Sequence, residues 1–313
     1  ILLFDVEHRP EMEQIDRIAR RLGVRAKAAI RLNPDVDAHT HKKTTTGKAE
    51  AKFGIGIQET ESLFEETASW TGVDVVGIHL HLGSPIHSTK PYEHALEITV
   101  GLVERLREAG HAVEYINMGG GYCISYTGED VIGPSEYAEA VHSYLEKSGC
   151  AVIIEPGRYI AGNSGMLLSR VVYRKESEYG KRFIICDAAM NDLIRPTLYE
   201  AYHRIWPVHS QGGMPQEMHP DDTGYDGFDT ETVDVVGPVC ETGDFLAKGR
   251  ALPRLEADDL LAVFSAGAYG FTMSSNYNAR PRPAEVLVDG DGWQLIRRRE
   301  TMQDMVAPEQ ECL

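Results

Sequence analysis

The sequence contains no apolar run approaching the ~18 residues that a helix needs to cross a membrane, so no span is expected. Cysteine is scarce and unpatterned. The five, Cys123, Cys150, Cys186, Cys240 and Cys312, are odd in number and form no C-x-x-C pair, which argues against a disulfide framework or a zinc ribbon. A reducing compartment, the cytoplasm, is expected. Positive charge is also short: 31 Lys and Arg against 48 Asp and Glu leave a formal net charge of −17. Nucleic acid and an anionic membrane would both be repelled, so the expected partner is a small molecule. Neither the Rossmann glycine pattern nor the P-loop is present. The acidic, glycine-rich stretch 209–231 fails the calcium-loop spacing, so it reads as a solvated loop and no metal is expected. The opening residues "ILLFDVEHRP" have neither a basic start nor a small-residue cleavage site, so no signal peptide is expected.

What is present has a clear order. From the start to about Gly157, apolar strand-like runs alternate with amphipathic helical ones. The strands are "ILLFDV", "AKAAIRLN", "VDVVGIHLHLG", "HAVEYINMGGG" and "AVIIEPGR". The intervening helices include one with Ile15, Ile18, Ala19 and Leu22 at helical spacing before Gly23, and one with Ala138, Val141 and Leu145 on a shared face. Strands alternating with helices predict a parallel sheet. After Gly157 the texture turns β-rich, with a hairpin predicted at "DGDG" in "AEVLVDGDGWQLIRRRE". Five strands are too few for a closed barrel of eight and enough for an open doubly wound sheet, so the count leaves both architectures open.

In such proteins ligands gather at the C-terminal ends of the strands. His79 and His81 stand two apart there, predicted to share one side of a strand, and are followed by Gly83 and Ser84. Gly119, Gly120 and Gly121 offer backbone N–H groups unobstructed by Cβ, a nest suited to phosphate, although a tight turn or packing contact explains glycines equally well. Glu155 and Arg158 leave the next strand together, separated by Pro156 and Gly157. An anion nest, an imidazole, a carboxylate and a guanidinium together suit a phosphorylated, protonatable aromatic cofactor, and pyridoxal phosphate is such a molecule.

The motifs "HLHLGS", "NMGGGY", "EPGRYI", "MNDLIRPTLYEAYH", "GPVCETGD" and "GAYGFTMSSNYN" resemble, in order and rough spacing, the diaminopimelate decarboxylase family. This is a group of fold-type III pyridoxal-phosphate enzymes related to ornithine and arginine decarboxylases and, more remotely, to alanine racemase. The resemblance implies an α/β fold: a pyridoxal-phosphate-binding (β/α)8 barrel of the alanine-racemase-like type over residues 1–160, its first strands missing, then a mainly β domain over 161–313. It implies a homodimer with shared active sites. His81 would stack on the cofactor ring. Ser84, the three glycines and the Tyr269 hydroxyl would hold the phosphate, Glu155 the pyridine nitrogen, and Gly157 would shape the turn beside it. Arg158, Arg195, Tyr199 and Tyr269 would line the substrate, the two arginines suiting its carboxylates. Cys240, as proton donor, and Glu241, at the far end of the substrate, would come from the partner subunit. The "CETGD" run separates this type from ornithine decarboxylases. Asp187 needs only a structural turn role.

The implied reaction is decarboxylation of meso-2,6-diaminopimelate to L-lysine and CO2, the last step of lysine biosynthesis. One family feature has no match. The cofactor-bearing lysine belongs to a motif expected upstream of "ILLFDV", and neither Lys48 nor Lys52 sits in that context. The chain is therefore expected to be an N-terminally truncated fragment, inactive alone and exposing strand edges. The rival readings are decarboxylation of ornithine, arginine or carboxynorspermidine, and a non-catalytic relative.

Overall fold

The computed structural model describes residues 1–38, 47, 52–209 and 229–312. Lys48, and 210–228 of the expected acidic loop, lie outside the described residues. The chain divides into two units: residues 1–124 with 131–159, and residues 125–130 with 160–313.

The first unit is built from β1 (Phe4–Val6), α1 (Arg9–Leu22), β2 (Ala26–Arg31), α2 (Ile57–Thr67), β3 (Val73–His79), α3 (Lys90–Glu108), β4 (Tyr115–Asn117), α4 (Pro134–Ser148) and β5 (Ala151–Ile153), with the short α5 (Gly157–Ala161) following. The helices begin and end where local chemistry dictates. Pro10 and Pro134 open α1 and α4, and Gly23 and Gly149 close them in the left-handed conformation that glycine adopts without strain. All five strands are parallel and lie in the order β1-β2-β3-β4-β5. A doubly wound sheet would reverse direction at a switch point, whereas this sequential order is that of consecutive barrel staves.

Register explains how the strands bury one face and serve the other. Ile30 pairs with Val6 and Ile78, and Ile116 with Ile78, forming an apolar row that packs with Met12, Leu63, Phe64 and Leu96 of the helices. On the opposite face the row reads Arg31, His79, Asn117 and Ile153, with Asp5 sharing that side through its pairing with Ala29. Polar residues therefore alternate with buried apolar ones inside short strands.

Three expectations need correction. Strand β3 stops at His79, so His81 lies beyond it in a loop. Ala138 is exposed, and α4 packs through Tyr137, Val141, Tyr144 and Leu145, because the larger side chains fill the space. In α1 the buried positions are Met12, Asp16 and Ala19, while Ile18 and Leu22 are 43% and 66% exposed. Asp16 is buried at no loss because its carboxylate accepts from Gly72 N–H at 2.7 Å.

The second unit holds β6 (Leu167–Glu176), β7 (Arg182–Cys186), α6 (Arg195–Tyr199), β8 (Ile205–His209), β9 (Thr230–Val236), β10 (Phe245–Pro253), β11 (Leu260–Val263), β12 (Glu285–Asp289), β13 (Gly292–Arg297) and α7 (Met302–Gln310). Six strands form one sheet in the order β10-β9-β7-β6-β11-β8, and β12 and β13 form the hairpin predicted at "DGDG". Its core gathers Val171, Ile184, Val235, Leu246, Leu261 and Val263. Asp187 does hold a turn: Oδ1 accepts from Ser169 Oγ and Arg170 N–H, each at 2.8 Å.

Candidate active site

In the first unit the sequence-marked residues converge on the C-terminal ends of β3, β4 and β5. The three glycines are needed first for close backbone approach. A Cβ on Gly119 would strike the Leu80 carbonyl, one on Gly120 would lie 2.5 Å from the Glu155 carbonyl oxygen, and one on Gly121 would lie 2.5 Å from the Gly83 carbonyl oxygen. Gly119 and Gly121 also take positive φ, +65° and +104°. The nest is narrower than expected, since two of its N–H groups are spent internally. Gly119 N–H donates to Asn117 Oδ1 at 3.0 Å and Gly120 N–H to His81 Nδ1 at 3.2 Å. Among the described residues, Gly121 alone of the three keeps an N–H without a protein acceptor. The Tyr92 hydroxyl, buried on α3, fixes this loop by donating to the Gly120 carbonyl at 3.1 Å.

The bond from Gly120 settles the His81 tautomer. Nδ1 accepts, so the proton of the neutral ring sits on Nε2. Burial, and then the nearby Arg31 charge, pull the His81 pKa below the ordinary imidazole value, which keeps the ring neutral at physiological pH. Arg158, buried at the start of α5, donates from Nε to Ser84 Oγ at 3.3 Å. The turn at Pro156-Gly157 thus carries the guanidinium to the serine.

Glu155 is less enclosed than a strand-end position suggests, with its side chain 44% exposed. Its backbone N–H donates to the Gly119 carbonyl at 2.8 Å, which couples β5 to the glycine loop. Asn117 holds its carboxylate. One Asn117 amide nitrogen donates to Glu155 Oε1 at 2.7 Å and to Asp5 Oδ2 at 3.0 Å. His79, 6% exposed, lies between the two acids, Nδ1 being 3.9 Å from Asp5 Oδ1 and Nε2 3.8 Å from Glu155 Oε1. Burial depresses the His79 pKa, so these approaches are not ion pairs at neutral pH. Sequence reasoning did not single out Asp5 or Asn117. The available signal was a polar residue inside an apolar strand, "LFDV" and "YINM", which needs a partner once buried.

These donors fit pyridoxal phosphate on the structure's own terms. The glycine loop leaves a space that a Cβ would fill, with an unspent N–H for an anion. Asp5 Oδ1 and both His79 nitrogens are buried without hydrogen-bond partners among the described residues, beside a carboxylate that can accept from a protonated ring nitrogen.

The second unit holds the other marked residues. Arg195, buried at the start of α6, has Nη1 2.8 Å from His203 Nε2, and His203 Nδ1 lies 2.8 Å from the Phe264 carbonyl. A carbonyl only accepts, so Nδ1 carries the proton and Nε2 receives from the arginine. The Tyr126 ring centroid is 5.3 Å from the guanidinium carbon. Tyr199 ends α6 and is half-buried.

Cys240 and Glu241 are exposed on the loop between β9 and β10. Asp244 pins that loop by accepting from Val239 N–H at 2.6 Å and Met190 N–H at 2.7 Å. Glu241 accepts from the Tyr277 hydroxyl at 2.6 Å. Tyr269 has φ +59° and is 40% exposed.

Comparison with known proteins agrees with this chemistry. Residues 1–162 match the family model described as the pyridoxal binding domain of pyridoxal-dependent decarboxylases. The chain is 43% identical over 309 residues to diaminopimelate decarboxylase of Aquifex aeolicus, covering 98% of this chain and 70% of that protein. It is 45% identical over 306 residues to the Pseudomonas aeruginosa protein of that name, with the same coverage. The crystal structure of Helicobacter pylori diaminopimelate decarboxylase complexed with L-lysine superposes with a TM-score of 0.91 at 35% identity, covering 100% of this chain and 74% of that one. The fold, the strand-end donors and these likenesses agree, and the chain belongs to the diaminopimelate decarboxylases of the pyridoxal-dependent decarboxylase family.

Proposed function

We propose that the chain serves the pyridoxal-phosphate-dependent decarboxylation of meso-2,6-diaminopimelate to L-lysine and CO2, the last step of lysine biosynthesis, in the cytoplasm. The observation that carries this reading is the convergence of Asn117, Glu155 and the glycine loop at adjacent strand ends. Its substrate rests on the likeness along 98% of the chain to proteins of that name.

When bound, the cofactor supplies an electron sink for the carbon that loses CO2. The chain's residues do the rest. Gly121, with Gly119 and Gly120 shaping the loop, receives the phosphate together with Ser84, the Arg158 that Ser84 anchors, and the Tyr269 hydroxyl. Gly157 gives Arg158 its turn. Glu155 accepts from the ring nitrogen, and the neutral His81 ring packs on the cofactor face. For substrate carboxylate, the second unit offers Arg195, aimed by His203, with Tyr199 and Tyr269, and the first unit offers Arg158.

Residues 1–160 form the pyridoxal-phosphate-binding barrel part and supply most of the cofactor residues, and the mainly β domain 161–313 carries the dimer-interface residues and most of the substrate residues. In a homodimer the exposed Cys240 loop reaches the neighbouring subunit's site. There the thiol delivers the proton that replaces CO2 on the substrate carbon, and Glu241 engages the distal end.

The test is a substrate panel on the native protein isolated from its source. Release of lysine and CO2 in equal amounts from meso-diaminopimelate, faster than turnover of ornithine, arginine or carboxynorspermidine, is expected. Preference for one of those would reassign the substrate. Cofactor binding with no turnover of any would make the protein a non-catalytic relative.

A further inference from the structure

Asp5 has no assigned role, yet it shares an amide with Glu155. The two carboxylates and His79 present oxygen and nitrogen atoms all within 4.8 Å of one another. Among the described residues no Lys or Arg is ion-paired with either acid, and the Arg31 charge acts on Asp5 only as a minor influence favouring its ionised form. His79 on β3 is held neutral by burial. Arg31 on β2 is ion-paired with Glu7, which follows β1, and Asn117 on β4 gives only neutral N–H donors. Asp5 is the more enclosed acid, its side chain 27% exposed against 44% for Glu155, and its Oδ1 is buried without a partner among the described residues. A pair of acids held this close, with Asp5 Oδ1 unsatisfied and no cation paired to either acid among the described residues, suits a cationic ligand.

We propose that Asp5 is a positioning residue of the cofactor site: cross-linked to Glu155 by Asn117, it adds a second negative charge behind the ring nitrogen and so keeps that nitrogen protonated. This rests on the reading of Glu155 as the ring-nitrogen partner. In the cofactor-free protein the pair meets its charge deficit by taking up a proton instead. Burial first, and then the Glu155 charge, push Asp5 up to about 6. A protonated ring takes the place of that proton, so the cofactor-bound site holds both acids ionised. Free Asp5–Glu155 plus H+ and bound Asp5–Glu155 plus pyridinium carry the same charge balance.

The test uses pyridoxal phosphate labelled with 15N at the ring nitrogen, bound to the native protein, with the 15N shift reporting protonation and equilibrium dialysis reporting affinity. Asp5→Asn is nearly isosteric and still accepts from Asn117. It is expected to move the ring-nitrogen titration down by about one pH unit and to weaken binding about tenfold, whereas Asp5→Glu retains the wild-type shift. An unchanged 15N titration in Asp5→Asn overturns the proposal and leaves the cofactor reading intact. Failure of the wild-type native protein to bind the cofactor overturns both. Should Asp5→Asn not fold, infrared titration of the wild-type protein decides. A carboxylic-acid band that titrates near pH 6 and shifts to lower pH when cofactor is added supports the proposal, and a band that cofactor leaves in place contradicts it.

Discussion

Asn117 Nδ2 lies 2.7 Å from Glu155 Oε1, while Asn117 Oδ1 accepts from Gly119 N–H at 3.0 Å. One buried carboxamide therefore holds both the Glu155 carboxylate and the glycine loop, the groups proposed for the ring nitrogen and the phosphate. A single side chain of β4 thus ties that carboxylate to the loop.

Asn117→Ala should damage both ends together. It removes a bond to a charged acceptor, strands the Gly119 N–H and leaves Asp5 uncompensated, so a stability loss of about 2–3 kcal/mol is expected in denaturant unfolding. Cofactor affinity should fall with it. Loss of stability with unchanged affinity would separate Asn117 from the site.

Gly120→Ala tests the close approach. The added methyl would sit 2.5 Å from the Glu155 carbonyl, and rigid backbone on both sides must move, at a cost of about 1–3 kcal/mol. Equilibrium dialysis should show weaker cofactor binding even where the fold survives, because the displaced residue is Glu155.

The proton held by Asp5 predicts a pH dependence of stability without cofactor. Burial pushes its pKa in the folded chain up to about 6, above the ordinary aspartate value of 3.8. Below about pH 4 both folded and unfolded chains are protonated at this site. Between 4 and 6 the folded chain keeps a proton that the unfolded chain releases, so this contribution to stability declines as pH rises and is gone above 6. Allowing for partial exposure, the change is about 2 kcal/mol, and Asp5→Asn should remove it from unfolding midpoints measured between pH 4 and 7.5.

The sequence made the sheet legible because β1 to β5 are apolar runs bounded by glycine and proline, and the glycines and Glu155 stood out at strand ends. Strand β10 escaped notice for a physical reason. Its pairing with β9 carries two register shifts, the second containing Gly249 at φ +58°, so buried and exposed positions do not alternate. The layer behind Glu155 was hidden differently. A lone Asp or Asn in a three-residue strand reveals its partner only when β1 and β4 are brought onto one face.

His203→Ala should act through Arg195. The arginine loses the acceptor that aims it, while the groups that move protons are untouched. In the native protein isolated from its source, KM for diaminopimelate should rise about tenfold with kcat nearly unchanged. Cys240→Ala should do the reverse. The thiol is exposed, so stability and cofactor affinity stay near the parent values, but kcat should fall about 100-fold or more if the thiol delivers the proton.

The most direct measurement is a crystal structure of the chain with pyridoxal phosphate bound. The account predicts the ring nitrogen within hydrogen-bond distance of Glu155, the phosphate against Gly121 and Ser84, and Asp5 still bridged to Glu155 by Asn117. A ring nitrogen turned away from Glu155, or a phosphate seated away from the glycine loop, would contradict it.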